Sequence, residues 1–126
     1  MTANKAKNVF ESFNYALNGI EYALKTQRNL RIHSVIAVLV IILSGLLSLS
    51  NYEWAIVVLC ISLVFFAELS NTALEVLMDS YYGDKLSELA KNAKDIAAGA
   101  VFCSAMGSSI VGILIFVPKI LGLIVL

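Results

Sequence analysis

The chain has 126 residues, of which 60% are hydrophobic and 14% are charged, with nine basic and nine acidic side chains. This composition fits a single integral membrane domain over residues 1–126 better than a water-soluble core. There is no basic excess and no zinc-type cysteine spacing, which argues against binding of nucleic acid.

The first predicted element is an amphipathic helix at about residues 9–25. Apolar side chains recur there at steps of three and four, with Glu11, Asn14 and Glu21 on the opposite face. The pattern predicts a helix that lies on the membrane surface. A helix packed on another protein element would show the same pattern, so the surface position depends on the spans that follow.

A basic segment, TQRNLRIH at residues 26–33, precedes the first predicted span at about residues 34–49. A single His such as His33, in such a place, is more often an interface residue than a ligand. The turn after this span has no Lys or Arg and offers Tyr52 and Trp54 as aromatic anchors at a membrane interface.

The second predicted span, at about residues 54–79, carries polar groups on one face of the helix. Successive residues of a helix are rotated by about 100°, so five polar positions fall on a single face. They are Glu68, Asn71, Thr72, Glu75 and Asp79. Glu68 lies about 21 Å beyond Trp54, still within a hydrocarbon layer about 30 Å thick. A carboxylate is costly at that depth, so we expect it to face protein, water or a ligand. Contacts with neighbouring helices are the structural alternative, but the stripe holds more polar groups than helix association needs.

The third predicted span covers about residues 94–117, with Pro118 and Lys119 interrupting the apolar tail near its far end. Before this span, Gly83 is expected to end one helix in a left-handed conformation and Asp84 to cap the next. Small residues recur every four positions along the span, which predicts close helix packing that can extend between subunits. They are Ala100, Ser104, Ser108 and Gly112.

Basic residues predict the orientation in the membrane. Five lie in the N-terminal segment, none in the first loop, three in the second loop and one near the C-terminus. By the positive-inside rule, the N-terminus and the 80–95 connection face the cytoplasm, and the C-terminus lies outside the cell membrane. The acidic stripe, Lys94 and Asp95 then fall near the cytoplasmic interface, where water-soluble and lipid substrates can meet.

Phosphoryl transfer fits these side chains. It needs neutralised phosphate charge, usually from Mg²⁺ on carboxylates and from a Lys, and an acceptor hydroxyl that loses its proton. Glu68 is at the depth of a lipid hydroxyl and is a candidate general base. Glu75, nearer the cytoplasm, can hold Mg²⁺ and a nucleotide, and Lys94 can contact phosphates. The chain has no glycine-rich phosphate loop, which excludes a nucleotide site of the P-loop or protein-kinase type.

Two segments, ELSNTALEVLMD at 68–79 and AKNAKDIAAGAV at 90–101, closely resemble the prokaryotic diacylglycerol kinase family. The segments SFNYALNGI, RNLRIH and FVPKI are most similar to its Gram-positive undecaprenol kinase branch. The resemblance covers nearly the whole chain. It implies a homotrimer of three-span subunits, each with an amphipathic surface helix. It also implies transfer of the γ-phosphate of MgATP to a membrane lipid alcohol.

The resemblance also implies roles for individual residues. Glu68 matches the general base, and Asn71 matches a residue that supports the site. Glu75 matches a ligand of metal and ATP, and Asp79 a structural neighbour of the site. The matches to ATP-binding positions are Tyr15, Lys94 and Asp95.

Gln27 departs from the family pattern, which usually has a Glu at this position. That Glu shares the metal and nucleotide site with the carboxylate matching Glu75. An amide keeps a carbonyl ligand but lacks the negative charge, so we expect weaker Mg²⁺ binding at Gln27. The chain either tolerates this change or has reduced activity.

Two other classes of function compete with a lipid kinase. A small proton-coupled transporter would use Glu68 to carry protons, but polar residues would then be expected through the other half of the membrane too. A non-catalytic assembly subunit would use the polar and small-residue faces for packing only. Among lipid acceptors, undecaprenol is favoured, and diacylglycerol remains open because both present a hydroxyl at the interface.

Overall fold

The computed structural model describes residues 5–85 and 87–125, and within these ranges all regular structure is helical. The helices are α1 (Val9–Thr26), α2 (Arg28–Leu46), α3 (Asn51–Tyr82) and α4 (Glu88–Ile124). The last three are long and apolar enough to cross a membrane. The prediction of a small, all-helical integral membrane protein is therefore confirmed at this level.

The helices α3 and α4 are longer than the predicted spans, by three residues at each end of α3 and by six and seven residues at the two ends of α4. They contain 32 and 37 residues. At 1.5 Å per residue their lengths are about 48 and 56 Å, more than the hydrocarbon layer of about 30 Å. Pro118 lies inside α4 without ending it, although a proline removes one backbone hydrogen bond of the helix. Both helices therefore carry polar turns beyond the hydrocarbon layer.

A single extended residue, Gln27, separates α1 from α2, with φ −105° and ψ 112°. The guanidinium Nη1 of Arg31 donates to the carbonyl oxygens of Leu24 and Lys25, at 2.9 and 3.0 Å. These carbonyls belong to the last turn of α1, where carbonyl oxygens have no hydrogen-bond donor within the helix. Arg31 therefore fixes the junction at which Gln27 lies.

Each end of α3 has a local capping structure. Ser50 and Glu53 form a capping box at its start. The helix is closed by Gly83 with φ 56° and ψ −133°. The sequence predicted a glycine with positive φ here, and glycine adopts this conformation without steric cost. The ψ value lies outside the left-handed helical region, so the chain turns away more openly than expected.

The prediction that Asp84 caps α4 is wrong. The N-cap is Ser87, whose side chain accepts a hydrogen bond from the backbone N–H of Ala90 at 3.3 Å. Lys85 still belongs to the turn after α3, because its N–H donates to the carbonyl of Tyr82 at 3.1 Å. The helix therefore starts later than the first available capping residue.

The central helix is α3, which packs along α4 and also contacts α2 and α1. In the described ranges, no Cα atoms of α2 and α4 approach within 8 Å of each other. These two helices therefore flank α3 with an opening between them. The opening ends at a buried cluster of Leu49, Val57 and Phe116.

The small-residue stripe of α4 packs against α3 of the same chain. Ser104 is buried, and the hydroxyl of Ser108 donates to the carbonyl of Cys60 at 3.4 Å. Small side chains allow this close approach of two helix backbones. Ala100, at the start of the stripe, is exposed in the single chain.

Candidate functional site

Glu68 is the most enclosed charged side chain of α3, with 2% of its surface exposed. His33 on α2 brings its Nε2 to 3.3 Å from Glu68 Oε1. The two groups are close but not aligned as a hydrogen bond, and Oε1 receives no hydrogen bond from any described residue. A buried carboxylate oxygen without a donor is costly. The site is therefore suited to a ligand that brings a proton donor.

Thr72 shares the polar face but is satisfied within α3. Its hydroxyl donates to the backbone carbonyl of Glu68 at 2.8 Å. The side chain is buried and uses its donor on its own helix. Thr72 therefore contributes to the packing of the site, and its hydroxyl hydrogen is not directed at the carboxylate of Glu68.

Asn71 and Glu75 are joined directly. The Asn71 Nδ2 donates to Glu75 Oε1 at 3.2 Å. This contact fixes the orientation of the amide, and it leaves Asn71 Oδ1 buried without a donor among the described residues. Residues three apart on a helix are neighbours, so the unsatisfied oxygens of Glu68 and Asn71 lie on the same part of α3.

A second group of charges lies where α3 ends and α4 begins. Lys94 Nζ lies 2.8 Å from Asp79 Oδ1, and Lys91 Nζ lies 2.7 Å from Asp95 Oδ2. Both pairs line a polar cavity of about 280 Å³, to which Tyr82 also contributes. The cavity therefore presents ammonium groups of the kind that bind phosphates.

Tyr15 and Gln27 lie apart from these contacts. Tyr15 is exposed on α1, and the side chain of Gln27 makes no capping hydrogen bond to α2. In the described part of the chain neither side chain hydrogen-bonds to Glu75, Lys94 or another site residue. Of the positions on the predicted polar face and at the predicted ATP site, contacts between side chains therefore join Asn71 with Glu75 and Asp79 with Lys94, and Thr72 contacts the backbone of Glu68.

The described residues include no group of three or more His, Cys, Asp or Glu side chains arranged to hold a metal ion. Magnesium in nucleotide sites does not need such a group, because one or two carboxylates plus substrate phosphates and water complete its coordination. Glu75 supplies one carboxylate, and Gln27 has an amide oxygen that no cap occupies. The Glu75 carboxylate is a donor of the kind that suits Mg²⁺ held together with a nucleotide, and no contact in the described chain joins it to Gln27.

An apolar groove of about 270 Å³ occupies the opening between α2 and α4, with α3 as its floor. His33 lines it at one end and Phe116 at the other, with Val40, Ile61 and Ala105 between them. His33 also contacts Glu68, so the groove reaches the neighbourhood of the buried carboxylate. An apolar chain in the groove would place its polar end there.

Sequence reasoning missed His33, which was expected to be an interface residue. The signal that identifies it is its contact with Glu68, and this contact joins two different helices. The spacing of residues within one helix cannot predict a contact between two helices. Only the packing of α2 on α3 shows it.

The chain is similar to known proteins over most of its length. The family described as prokaryotic diacylglycerol kinase matches residues 14–116. A diacylglycerol kinase of Synechocystis sp. is 46% identical over 120 residues, which is 95% of this chain and 69% of the relative. An undecaprenol kinase of Bacillus subtilis is 44% identical over 117 residues, which is 93% of this chain and 94% of the relative.

Both relatives have kinase names, and these matches give no support to a proton-coupled transporter. The matched residues include the polar face of α3 and the start of α4, where the candidate site lies. The chain belongs to the prokaryotic diacylglycerol kinase family and is a membrane lipid kinase.

Proposed function

We propose that the chain transfers the γ-phosphate of ATP, bound with Mg²⁺, to the hydroxyl of a membrane lipid alcohol. The observation that carries this proposal is the Glu68 carboxylate. It is buried, its Oε1 receives no hydrogen bond from the described residues, and its neighbour His33 lines the end of an apolar groove. A lipid hydroxyl arriving along the groove supplies the missing donor.

Glu68 acts as the general base in this proposal. It accepts the hydroxyl proton while the bond from the lipid oxygen to the γ-phosphorus forms and the bond from that phosphorus to the β-γ bridging oxygen breaks, which releases ADP. Asn71 orients Glu75 through its amide. The protein therefore has to position the lipid hydroxyl and remove its proton.

Glu75 and Gln27 would hold Mg²⁺, which when bound neutralises charge on the phosphates of the nucleotide. Lys94, Asp95 and Tyr15 would bind ATP. The polar cavity at the α3–α4 end supports this assignment, because Lys94 and Asp95 both line it. Asp79 would hold Lys94 in place.

The favoured acceptor is undecaprenol, with diacylglycerol as the alternative. The undecaprenol kinase relative aligns over nearly its whole length, which supports the first choice. Both alcohols present a hydroxyl to the same base, and their chains would meet the same apolar groove. The choice between them is therefore left to an assay with both lipids.

The proposal includes a cell membrane location, with the N-terminus in the cytoplasm, the C-terminus outside and α1 on the membrane surface. Exposed apolar residues on α1, among them Phe10, Phe13 and Leu17, support its contact with lipid. The chain would form a homotrimer. The extensive apolar surface that α2 and α4 expose in the single chain supports burial against lipid or other subunits.

The test is lipid phosphorylation by purified protein in mixed micelles, with labelled ATP and either undecaprenol or diacylglycerol. Label should enter at least one of the two lipids. Glu68→Gln keeps the size of the side chain but removes the base, so transfer should fall by about 10² to 10⁴ while ATP binding survives. Glu53→Gln is the matched control, because Glu53 lies at the opposite end of α3. Near wild-type turnover by Glu68→Gln would refute the general base, and no transfer to either lipid would refute the function.

A further inference from the structure

We propose that His33 is a positioning residue for phosphoryl transfer, and that its imidazole holds and orients the carboxylate of Glu68 for the lipid hydroxyl. This inference rests on the proposed role of Glu68 as the base. It adds a residue of α2 to a site whose other proposed groups come from α1, α3, α4 and the α1–α2 junction.

The geometry carries the inference. His33 Nε2 lies 3.3 Å from Glu68 Oε1, and the two side chains are 23% and 3% exposed. Of the described residues, the other ionisable group that influences Glu68 is Glu75, which repels a negative charge from two turns away on the same helix. His33 is therefore the one described basic side chain within 4 Å of this carboxylate.

The 3.3 Å separation is short enough for a hydrogen bond, but the two groups are not aligned to form one. Contacts of this kind at catalytic groups are often loose without substrate and tighten in the reacting complex. His33 also lines the apolar groove, so a lipid alcohol that enters the groove passes the imidazole before its hydroxyl meets Glu68. Closure of the imidazole onto the carboxylate would then coincide with arrival of the substrate.

Two substitutions separate positioning from packing. His33→Leu fills similar space without a donor, and it should lower kcat for lipid phosphorylation by about 10- to 100-fold with little change in the KM for ATP. A lowered kcat with an unchanged KM for ATP separates lost positioning of the carboxylate from damage to the ATP site. His33→Gln keeps an N–H at a similar reach and should restore most of the rate.

Ser34→Ala is the matched control on α2. The hydroxyl of Ser34 donates at 2.7 Å to the carbonyl of Leu30 on its own helix and not to the site. This variant should keep the wild-type kcat and the wild-type KM for ATP. If it lost as much activity as His33→Leu, the effect would belong to the packing of α2 and the inference would fail.

A double-mutant cycle tests whether His33 acts through Glu68. In the Glu68→Gln background, His33→Leu should cost little further, because residues that act as a unit are not additive. Full additivity, or a normal kcat for His33→Leu alone, would overturn the inference while leaving Glu68 as the base. High activity of Glu68→Gln itself would instead refute Glu68 as the general base, on which this inference rests, and absence of transfer to either lipid would refute the proposed function.

ATP binding checks that each variant is folded. If His33→Leu fails to bind ATP, the decision passes to His33→Asn and His33→Gln. The shorter amide of Asn does not reach Glu68, so it should be slow, whereas Gln should be active. Equal rates for these two variants would contradict a positioning contact.

Discussion

Lys94 Nζ donates to Asp79 Oδ1 at 2.8 Å, and this contact joins the beginning of α4 to the last turns of α3. The two residues were assigned different tasks from the sequence, phosphate binding for Lys94 and a structural task for Asp79. Their contact offers a physical link between the tasks. Because Asp79 already holds the ammonium group of Lys94, this side chain has less conformational freedom to lose when ATP binds.

Asp79→Asn should therefore raise the KM for ATP without abolishing turnover. Exposed ion pairs are worth about 0 to 1 kcal/mol, so the increase should stay below about tenfold. Lys94→Met removes the proposed phosphate contact itself and should raise the KM for ATP further. Lys119→Met is the control, because it breaks the 3.1 Å pair with Glu53 far from this cavity. Equal KM values for Asp79→Asn and wild type would show that Asp79 does not position Lys94.

Gln27→Glu tests the position at which the chain departs from the family. Restoring the carboxylate should lower the Mg²⁺ concentration needed for half-maximal rate, because a hard cation prefers a carboxylate to an amide oxygen. The measurement is rate against Mg²⁺ at saturating ATP and lipid for both proteins. Overlapping curves would mean that residue 27 is not a metal ligand.

In that outcome Glu21 and Asp95 are the next residues to replace. Glu21 is hydrogen-bonded to Lys25, and this ammonium group holds the pKa of Glu21 below its usual range. Glu21 is therefore ionised at neutral pH but already paired. Glu21→Gln should change the Mg²⁺ curve only if the ion displaces Lys25.

Membrane topology is tested by cysteine labelling in intact cells. After the native Cys60 and Cys103 are replaced by Ser, a Cys at position 51 should react with an impermeant reagent added outside. A Cys at position 84 should react only after the membrane is opened. The basic residues of the flanking segments motivate this expectation. The reverse pattern would place the candidate site on the wrong side for ATP.

Obstruction of the groove tests its use by the lipid. Ala105→Phe places a ring in the groove between α2 and α4, and it should raise the KM for the lipid alcohol while the KM for ATP stays unchanged. Met106→Phe is the control on the next residue, which is exposed and does not line the groove. If both variants have the same lipid KM, the chain of the alcohol does not occupy this groove.

Much of this architecture was predictable from the sequence, because the apolar runs are long enough to cross a bilayer. Two local details were not. Asp84 and Ser87 are both good capping residues, and only the path of the chain after Gly83 selects Ser87. Likewise, the spacing of Ser104 and Ser108 predicts close packing without naming the partner, which is α3 of the same chain.

The candidate site was predictable only in part. The acidic face follows from helical periodicity, since Glu68, Asn71 and Glu75 lie within two turns of one helix. The contacts between helices do not follow from any period. The pairing of His33 with Glu68, and of Lys94 with Asp79, depends on how α2 and α4 pack on α3.

The cluster of Leu49, Val57 and Phe116 and the Glu53–Lys119 pair lie at the end of the groove away from Glu68. An alcohol whose chain follows the groove from Glu68 reaches this barrier within the thickness of the membrane. A longer chain must turn sideways between α2 and α4 and continue among the surrounding lipids. Carbon atoms beyond that exit lie outside the groove, so the groove does not measure total chain length. Selection among long-chain alcohols would then depend on the head group and the first few carbon units.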